Sequence, residues 1–452
     1  MSKPRVGCPG FQQLRICRRS ALQIGFCGAL GLSLGDLLRG EARAAAEDSK
    51  GEGPAKSIIH LHLPGGMAQQ ESWDPKPEAP VEYRGAFQVV KTSTGEVFSE
   101  NFARLSKVAD KLTIVRSVVG KIPDHGLATY HTFTGYTPST VIDYPQMGAV
   151  VSQHFGPRRG LPPYVAIPSS LAFSGGTGYL SSKYGAFQLG ADPGGQGEFK
   201  VQDFSLPSGV SDQQFDRRRQ ARAAIESHLR SMHAGDDTQN TMDEFYGRAY
   251  SLVTSAEAQR AFSLAGEPQS MLDLYGDRYI LKARREPAGV GKRLLMARRL
   301  VEAGVRFVTV QYGAWDSHAS IKEDCLDRMP ALDHALTGLI SDLDDRGLLS
   351  STLVMVTTEF GRTPKINKAN GRDHWARVYS LLLAGGGISR GQIYGASDAT
   401  AAEPSRDAVS LEDFLFTVYH QLGINADEEL LAFGTRPIEI IRDGKLVKGI
   451  IA

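Results

Sequence analysis

The chain has 452 residues, of which 41% are hydrophobic, so it is long enough to bury a sizeable core. Its 51 Lys and Arg residues almost balance its 50 Asp and Glu residues, and its formal net charge is +1. Because no basic stripe stands out along the chain, the composition argues against nucleic-acid binding.

The first 46 residues have the features of an export signal. Arg18 and Arg19 precede a weakly apolar stretch at 21–38, which contains four glycines and Asp36. This stretch is too short and too rich in glycine for a membrane span, which needs about 20 strongly apolar residues. A charged start, a short apolar region and the alanine-rich segment 42–46 are typical of a cleavable signal, and the paired arginines indicate the twin-arginine route. We therefore predict a periplasmic or extracellular protein; the alternative is a buried N-terminal helix.

Removal of this signal leaves a mature chain with a single thiol. Cys8, Cys17 and Cys27 fall within the signal, so only Cys325 remains and no internal disulfide can form. The signal also carries seven Lys and Arg against two Asp and Glu, so its removal changes the net charge from +1 to −4. We expect no membrane span in the mature chain, whose fold must depend on its core.

The mature chain, 47–452, alternates strand-like and helix-like segments. The clearest helix lies at 324–346, where apolar residues recur at helical spacing, and a glycine and a strand follow it. The same unit of helix, glycine and strand occurs at 291–312. This alternation predicts one α/β domain with a mostly parallel central sheet covered by helices. Apolar, β-branched runs predict strands at 57–63, 112–119, 164–168, 305–311, 353–358 and 379–383.

Two segments depart from the alternation. Residues from about 212 to 285 contain charged, amphipathic helices without intervening strands, and we interpret them as a helical insertion that caps one side of the sheet. Residues 175–197 are rich in Gly and Ser, and we expect long loops near the functional site there.

Polar residues follow several of the predicted strands. In open α/β sheets ligands bind beyond the carboxyl ends of the strands, so these residues are the candidates for a site. Asp316 and His318 follow the strand at 305–311, and a carboxylate and an imidazole are natural ligands of zinc or manganese. The alternative is that they are a loop cap and a surface histidine.

Two further clusters lie within the next sixty residues. Glu359 and Arg362 follow the strand at 353–358; a carboxylate there suits a metal or a polar substrate, and the guanidinium can bind an oxyanion bidentately. The alternative for this pair is a buried ion pair that holds the loop. Asp373 and His374 precede the last strand, where Asp373 either binds a metal or orients the histidine that does.

The N-terminal half supplies the remaining candidates. Asp74 lies in the loop that follows the first strand, and His125 follows the strand at 112–119. His60 and His62 share one face of the first strand, and we interpret them as packed or hydrogen-bonded core histidines rather than ligands.

Several longer strings carry a resemblance to a known family. The strings RRSALQIG, LPGGMAQQESWDPKP, YGAWDSH, TTEFGRTPKINK and GRDHW occur in this order, and the sequence resembles the domain-of-unknown-function family numbered 1501. That family is grouped with the alkaline phosphatase and sulfatase superfamily, whose members hydrolyse phosphate or sulfate esters at a one- or two-metal site. The resemblance implies an alkaline phosphatase-like α/β sandwich with helices on both faces of the sheet and the site at the strand ends.

The resemblance also implies roles for individual residues. Asp316, His318 and His374 resemble the metal ligands of the superfamily. Glu359 stands where its relatives have the Asp of an Asp-His-Gly turn, and Phe360 replaces the histidine.

Two features of the superfamily are missing. Pro64 and Gly65 occupy the place of an acidic ligand, for which Asp74 is the candidate substitute. Thr134 and Gly135 resemble the end of the sulfatase nucleophile segment, which puts a histidine, His125, in place of the modified cysteine.

The leading hypothesis is a secreted metal-dependent hydrolase of phosphate or sulfate esters. Its cofactor would be a divalent metal (zinc, manganese or calcium), and its partner a small anionic ester or a cell-surface glycan. Arg362 or Arg372 would hold the anion, and His125 would act as nucleophile or general acid/base. The alternatives are a non-catalytic cell-surface binding or assembly module on the same fold, and an unrelated oxidoreductase or carbohydrate-binding role; no dinucleotide fingerprint supports an oxidoreductase.

Overall fold

The computed structural model describes residues 53–197 and 255–452, with isolated positions between them at 199, 201, 211, 213–215, 217, 218 and 220–222. The predicted export signal and most of the predicted helical insertion lie outside the described residues. Within 255–285 the chain forms two short helices and the first strand of a short antiparallel pair.

Nine strands form one sheet, and five short antiparallel pairs lie outside it among the described residues. The sheet strands are β1 (Ser57–His62), β2 (Leu112–Val119), β3 (Tyr164–Ile167), β4 (Phe187–Gln188), β5 (Phe307–Gln311), β6 (Thr352–Thr357), β7 (Tyr379–Ala384), β8 (Gln392–Tyr394) and β9 (Val409–Ser410). The short pairs join Val89–Lys91 to Val97–Ser99, Ile280–Leu281 to Glu286–Pro287, Gly361–Arg362 to His374–Trp375, Ala396–Ser397 to Pro404–Arg406, and Glu429–Ala432 to Arg436–Glu439.

The helices of the described residues are of very different lengths. The α-helices are α1 (Val81–Arg84), α2 (His125–Thr134), α3 (Met147–Phe155), α4 (Ala256–Ala261), α5 (Gln269–Leu274), α6 (Val290–Ala303), α7 (Ile321–Asp345) and α8 (Leu411–Gln421). Short 3-10 helices occur at Glu100–Phe102, Leu105–Lys111, Ser182–Tyr184, Leu349–Ser351 and Lys448–Ile450. No α-helix among the described residues is long and apolar enough to cross a membrane.

The sheet is mostly parallel. Its order is β8-β2-β7-β6-β1-β5-β3-β4, and β9 also pairs with β2. Only β7 runs antiparallel to its neighbours, β6 and β2, so all the other strands point in one direction. The carboxyl ends of β1, β2, β5 and β6 therefore meet at the same edge of the sheet.

Helices cover both faces of this sheet, as predicted. Side chains alternate across a strand, so Ile59 and Leu61 of β1 pack in the core cluster that contains α6 and α7, whereas Ile58 packs with α3 and α8. The predicted α/β class with a mostly parallel sheet is confirmed. All six predicted strands lie in this sheet, within two residues of their predicted bounds.

The core contains residues for which the sequence made specific predictions. His60 and His62 are fully buried and both contact the Thr357 hydroxyl through a ring nitrogen, which confirms them as core histidines. Burial lowers the pKa of both rings, to about 4 for His62, so both are neutral. Leu326, in contrast, belongs to the apolar residues whose helical spacing at 324–346 predicts one buried face of α7, and it is half exposed.

Candidate metal centre

Several chain segments meet at the edge where the parallel strands end. The loops after β1, β5 and β6 lie side by side, because these three strands are neighbours in the sheet. Gly65, in the first of these loops, has a φ of +105°, and a Cβ there would lie 2.5 Å from the backbone nitrogen of Trp315. This glycine thus allows the loop after β1 to pack directly against the loop that carries Asp316 and His318.

Asp316 lies at the centre of the site. Its Oδ1 atom accepts a hydrogen bond of 2.6 Å from Arg362 and lies 3.0 Å from Nε2 of His318, 3.1 Å from Nε2 of His374 and 3.3 Å from Nε2 of His125. Partial burial raises the pKa of Asp316, but the hydrogen bond from Arg362 and the contact with the imidazole of His374 outweigh it and hold the pKa well below its usual range. Three ring nitrogens therefore surround one ionised carboxylate oxygen.

His318 and His374 both direct their Nε2 atoms toward Oδ1 of Asp316. Nδ1 of His318 lies 2.7 Å from Oδ1 of Asp373, and Nδ1 of His374 lies 2.8 Å from the carbonyl oxygen of Pro123. Both partners only accept hydrogen bonds, so in the neutral rings the proton is assigned to Nδ1 and the lone pair to Nε2. The hydrogen bond from His318 lowers the pKa of Asp373, which keeps this acceptor ionised.

His125 is the first residue of α2, whose N-terminus is capped by the side chain of Asp124. Its Nδ1 atom lies 2.7 Å from Oε1 of Glu359, and this contact raises the pKa of the imidazole. Glu359 is buried, and its Oε1 atom also accepts a hydrogen bond of 2.7 Å from the backbone N–H of Gly65. Burial alone would raise the pKa of Glu359, but the hydrogen bond from His125 reverses the shift, so the carboxylate stays ionised.

The site is a partly exposed cluster with an aromatic base. The ring of Phe360 is fully buried and packs 4.9 Å from the ring of His125 and 4.6 Å from that of His374, measured between centroids. The side chains of Asp316 and His318 are 43% and 47% exposed, so the side opposite the phenyl ring is open to solvent. A small molecule can reach Asp316 and His318 from solvent.

The structure does not place two of the predicted residues at the open side of the cluster. Asp74 is buried and contacts Ser397, Lys76 and Arg116, so it does not replace the missing acidic ligand. Asp373 is set back behind the imidazole of His318, in the orienting role that the sequence left open for it.

The two arginines were wrongly expected to hold an anion. Arg362 is fully buried and donates to the carbonyl groups of Gly65, Gly66 and Arg372 as well as to Asp316. Arg372 is fully buried, and its guanidinium forms an ion pair with Glu71, 2.7 Å away.

Because their N–H groups are already used inside the protein, these two arginines hold the loops together instead of facing a substrate.

Two groups that support the site were not among the residues predicted from the sequence. The amide of Asn367 donates to the carbonyl oxygen of His318 (3.0 Å) and to Oδ1 of Asp373 (3.2 Å), so it holds both members of that pair. The carbonyl of Pro123 is a backbone group and carries no signal in the residue pattern. Asn367 lies in the string TPKINK, and its side-chain amide could have been predicted to bridge two loops.

The donor set fits a divalent cation. His125, Asp316 and His374 each offer one ligand atom within 4.8 Å of the others, and His318 lies in hydrogen-bonding contact with two of them. Nε2 of His125 is buried, and Oδ1 of Asp316 lies 3.3 Å from it. Nitrogen and carboxylate oxygen ligands are those that zinc takes in proteins, and a buried nitrogen lone pair without a partner is costly unless a cation or a proton meets it.

A family model described as "Protein of unknown function (DUF1501)" matches residues 55–451. The chain belongs to the DUF1501 family. This confirms the family that the sequence strings indicated. No curated relative matches this DUF1501 protein.

Solved structures that resemble this DUF1501 protein do so distantly. The sulfatase PsFucS1 from Pseudoalteromonas sp. is 14% identical, with 85% of this chain and 71% of that chain covered and a TM-score of 0.38. The C-terminal periplasmic domain of EcEptC from Escherichia coli, in complex with Zn, is 10% identical, with 83% and 84% covered and a TM-score of 0.38. A protein in the alkaline phosphatase superfamily from Vibrio parahaemolyticus is 10% identical, with 82% and 67% covered and a TM-score of 0.36.

Proposed function

We propose that this DUF1501 protein is an exported metal-dependent hydrolase of phosphate or sulfate esters. The observation that carries the proposal is the convergence of the Nε2 atoms of His318 and His374 on Oδ1 of Asp316, at 3.0 and 3.1 Å, on a solvent-exposed surface. Three neighbouring donors of this kind hold a divalent cation and leave a side open to a substrate. The string resemblance to a family grouped with phosphatases and sulfatases supplies the reaction class.

The protein's own residues would hold and orient the reacting groups. Asp316, His318 and His374 would bind the cation; when bound, it polarises an ester oxygen and neutralises the charge that develops there. Arg362 keeps Asp316 in place through its 2.6 Å hydrogen bond, and Asp373 fixes the ring of His318. Phe360 closes the buried side of the cluster, so a substrate can approach only from solvent.

Export is part of the proposal and depends on the N-terminal sequence. Arg18 and Arg19, followed by a weakly apolar segment, support the twin-arginine route to the periplasm or the outside of the cell. The substrate would then be met outside the cytoplasm, either as a small anionic ester or as part of a cell-surface glycan.

Elemental analysis combined with an ester panel tests the proposed function. Protein purified after export is analysed for zinc, manganese and calcium, and is then assayed with p-nitrophenyl phosphate and p-nitrophenyl sulfate beside the Asp316→Ala variant. We expect about one metal per chain and hydrolysis of at least one ester, with both lost in the variant. A wild-type protein that binds metal and hydrolyses neither ester would favour the binding-module alternative.

A further inference from the structure

We infer that His125 is a fourth ligand residue of the cation site, positioned by Glu359, and that its imidazole is therefore not the nucleophile of the reaction. The sequence resemblance had assigned His125 to the position of the sulfatase nucleophile. The inference rests on the proposed function for its reaction, but the assignment of His125 as a ligand rests on geometry alone.

The three histidines of the cluster are built alike. In each, Nε2 lies 3.0 to 3.3 Å from the same oxygen of Asp316 while Nδ1 contacts an acceptor that lies behind the ring. For His125 that acceptor is Oε1 of the buried Glu359, which also accepts a hydrogen bond from the backbone N–H of Gly65, so the neutral ring is assigned its proton on Nδ1. A carboxylate behind the imidazole is the usual support of a metal-bound histidine, because it fixes the tautomer and the ring orientation.

The position of Glu359 is itself fixed from several sides. Its Oε1 atom accepts hydrogen bonds from His125 and from the backbone of Gly65, and its Oε2 atom lies 3.8 Å from Nε2 of the buried His62. A carboxylate held in this way cannot follow the imidazole of His125 if that ring turns. Glu359 is thus a positioning residue for His125, in agreement with its 3% exposure, which keeps it away from substrate.

The rings also pack as one group. The centroids of His125 and His374 are 4.3 Å apart, and those of His318 and His374 are 4.8 Å apart. Three imidazole nitrogens lie 3.0 to 3.3 Å from one oxygen of Asp316, and lone pairs at such distances repel one another unless a positive charge lies among them. Four nitrogen and oxygen donors are also the number that zinc binds.

A histidine whose Nε2 lone pair holds a cation cannot attack an ester. With His125 occupied in this way, the inferred nucleophile is a water molecule, whose oxygen bonds to phosphorus or sulfur while the bond to the alcohol oxygen breaks. The electron pair of the broken bond leaves with the alcohol oxygen, which ends with a proton from the water. The reaction is a single displacement, without a phosphorylated or sulfated enzyme.

Zinc affinity decides the assignment without any assay of activity. Metal-free mature protein is titrated with Zn²⁺ against a competing chelator for wild type, His125→Ala and Glu359→Gln. We expect His125→Ala to weaken zinc binding by more than about 100-fold and Glu359→Gln by about 10- to 100-fold, the range for a residue that orients a ligand. The visible spectrum of the Co²⁺-loaded protein should change in His125→Ala, because one nitrogen donor is lost.

Two control variants remove an imidazole and a buried carboxylate that lie away from the cation site. His420→Ala removes an exposed histidine of α8, and Asp333→Asn neutralises a buried carboxylate that accepts backbone hydrogen bonds from Arg104 and Leu105. Both should bind Zn²⁺ as wild type does. Circular dichroism of the metal-free variants checks that each is folded before its affinity is compared.

The outcomes separate this inference from the proposed function. Wild-type zinc affinity in a folded His125→Ala variant would overturn the inference and leave the hydrolase proposal intact. A phosphoryl or sulfuryl adduct on His125, found by mass spectrometry after alkaline quenching during turnover, would also overturn it. Zinc binding that depends on His125, without hydrolysis of any ester, would support the ligand assignment and reject the proposed function.

Discussion

The Nε2 atoms of His318 and His374 lie 3.0 Å apart, although the acceptors at their Nδ1 atoms assign no proton to either Nε2 in the neutral rings. Two lone pairs at this distance repel each other unless a cation or a shared proton lies between them. Since both rings also approach Oδ1 of Asp316, the contact is most simply relieved by a divalent ion. The stability of the protein should accordingly depend on metal.

Replacement of either histidine should remove that dependence. A ligand that binds only the native state stabilises it by about 4 kcal/mol at a concentration of 1,000 times its Kd. We expect wild type to melt at a lower temperature after chelation, and His318→Ala and His374→Ala to show reduced metal content and little further effect of the chelator. Calorimetry with elemental analysis measures both. If both variants keep the metal content and melting temperature of wild type, the two histidines are structural.

Arg372 should be needed for stability rather than for anion binding. Its guanidinium and the carboxylate of Glu71 are both buried and 2.7 Å apart, so Arg372→Met would leave a buried charge without its partner. Breaking such a pair costs about 3–5 kcal/mol, and urea unfolding should show a loss of that size. The control is Arg377→Met, which removes an exposed pair with Glu403 and should cost less than about 1 kcal/mol. Equal stability of wild type and Arg372→Met would contradict this prediction.

The sequence predicted the sheet well because its signals are local. The strand β2 and the helices α6 and α7 follow from apolar runs and terminal glycines within a few residues of one another. Ligands of open α/β sheets bind beyond the carboxyl ends of the strands, and for this reason Asp316 and His374 were expected at the same edge of the sheet.

The errors concern contacts between distant parts of the chain. Arg372 meets Glu71 across 301 positions, and His125 meets Glu359 across 234, so no local pattern reveals that the arginine is buried or that the carboxylate is set behind the imidazole. Asp74 is not at the candidate metal centre, because its carboxylate contacts Ser397 and Arg116 instead.

Gly371 should be required for the position of His318. A Cβ on Gly371 would lie 2.0 Å from the carbonyl carbon of His318, a backbone atom that cannot move without shifting the loop. We expect Gly371→Ala to weaken zinc binding by at least about tenfold, as does the loss of a group that orients a ligand, and to lower the free energy of unfolding by about 1–3 kcal/mol. Gly266→Ala is the matched control, because a Cβ there meets nothing within 4 Å. Unchanged zinc affinity in Gly371→Ala would show that the loop can adapt.

Export should depend on the paired arginines. Replacement of Arg18 and Arg19 by lysines keeps the charge of the signal but removes the pair that the twin-arginine route recognises. We expect the precursor to accumulate in the cytoplasm, as measured by fractionation and immunoblotting, whereas replacement of Arg5 and Arg15 by lysines should leave export unchanged. Mature protein outside the cytoplasm at wild-type levels would rule out this route.

Glu412 should make the protein sensitive to acid. Its carboxylate contacts the ammonium of Lys121 at 2.7 Å and the imidazole of His131 at 3.3 Å. Burial by itself raises the pKa of Glu412, but the hydrogen bonds from His131 and Lys121 outweigh it and lower the pKa from 4.5 to about 2. A carboxyl group whose pKa is lower in the folded than in the unfolded chain stabilises the fold above its unfolded pKa. This contribution is lost as the pH falls from about 4.5 toward 2.

The comparison of wild type with Glu412→Gln isolates this group. In the presence of a chelator, so that metal release does not contribute, urea unfolding should show the variant to be less stable than wild type at pH 7. The difference should shrink as the pH is lowered through 4.5 and disappear near 2, where the wild-type carboxylate is protonated as well. Asp443→Asn, in an exposed loop position, should differ from wild type by a small amount at every pH. A constant difference between Glu412→Gln and wild type over this range would mean that packing, and not ionisation, accounts for the effect of the substitution.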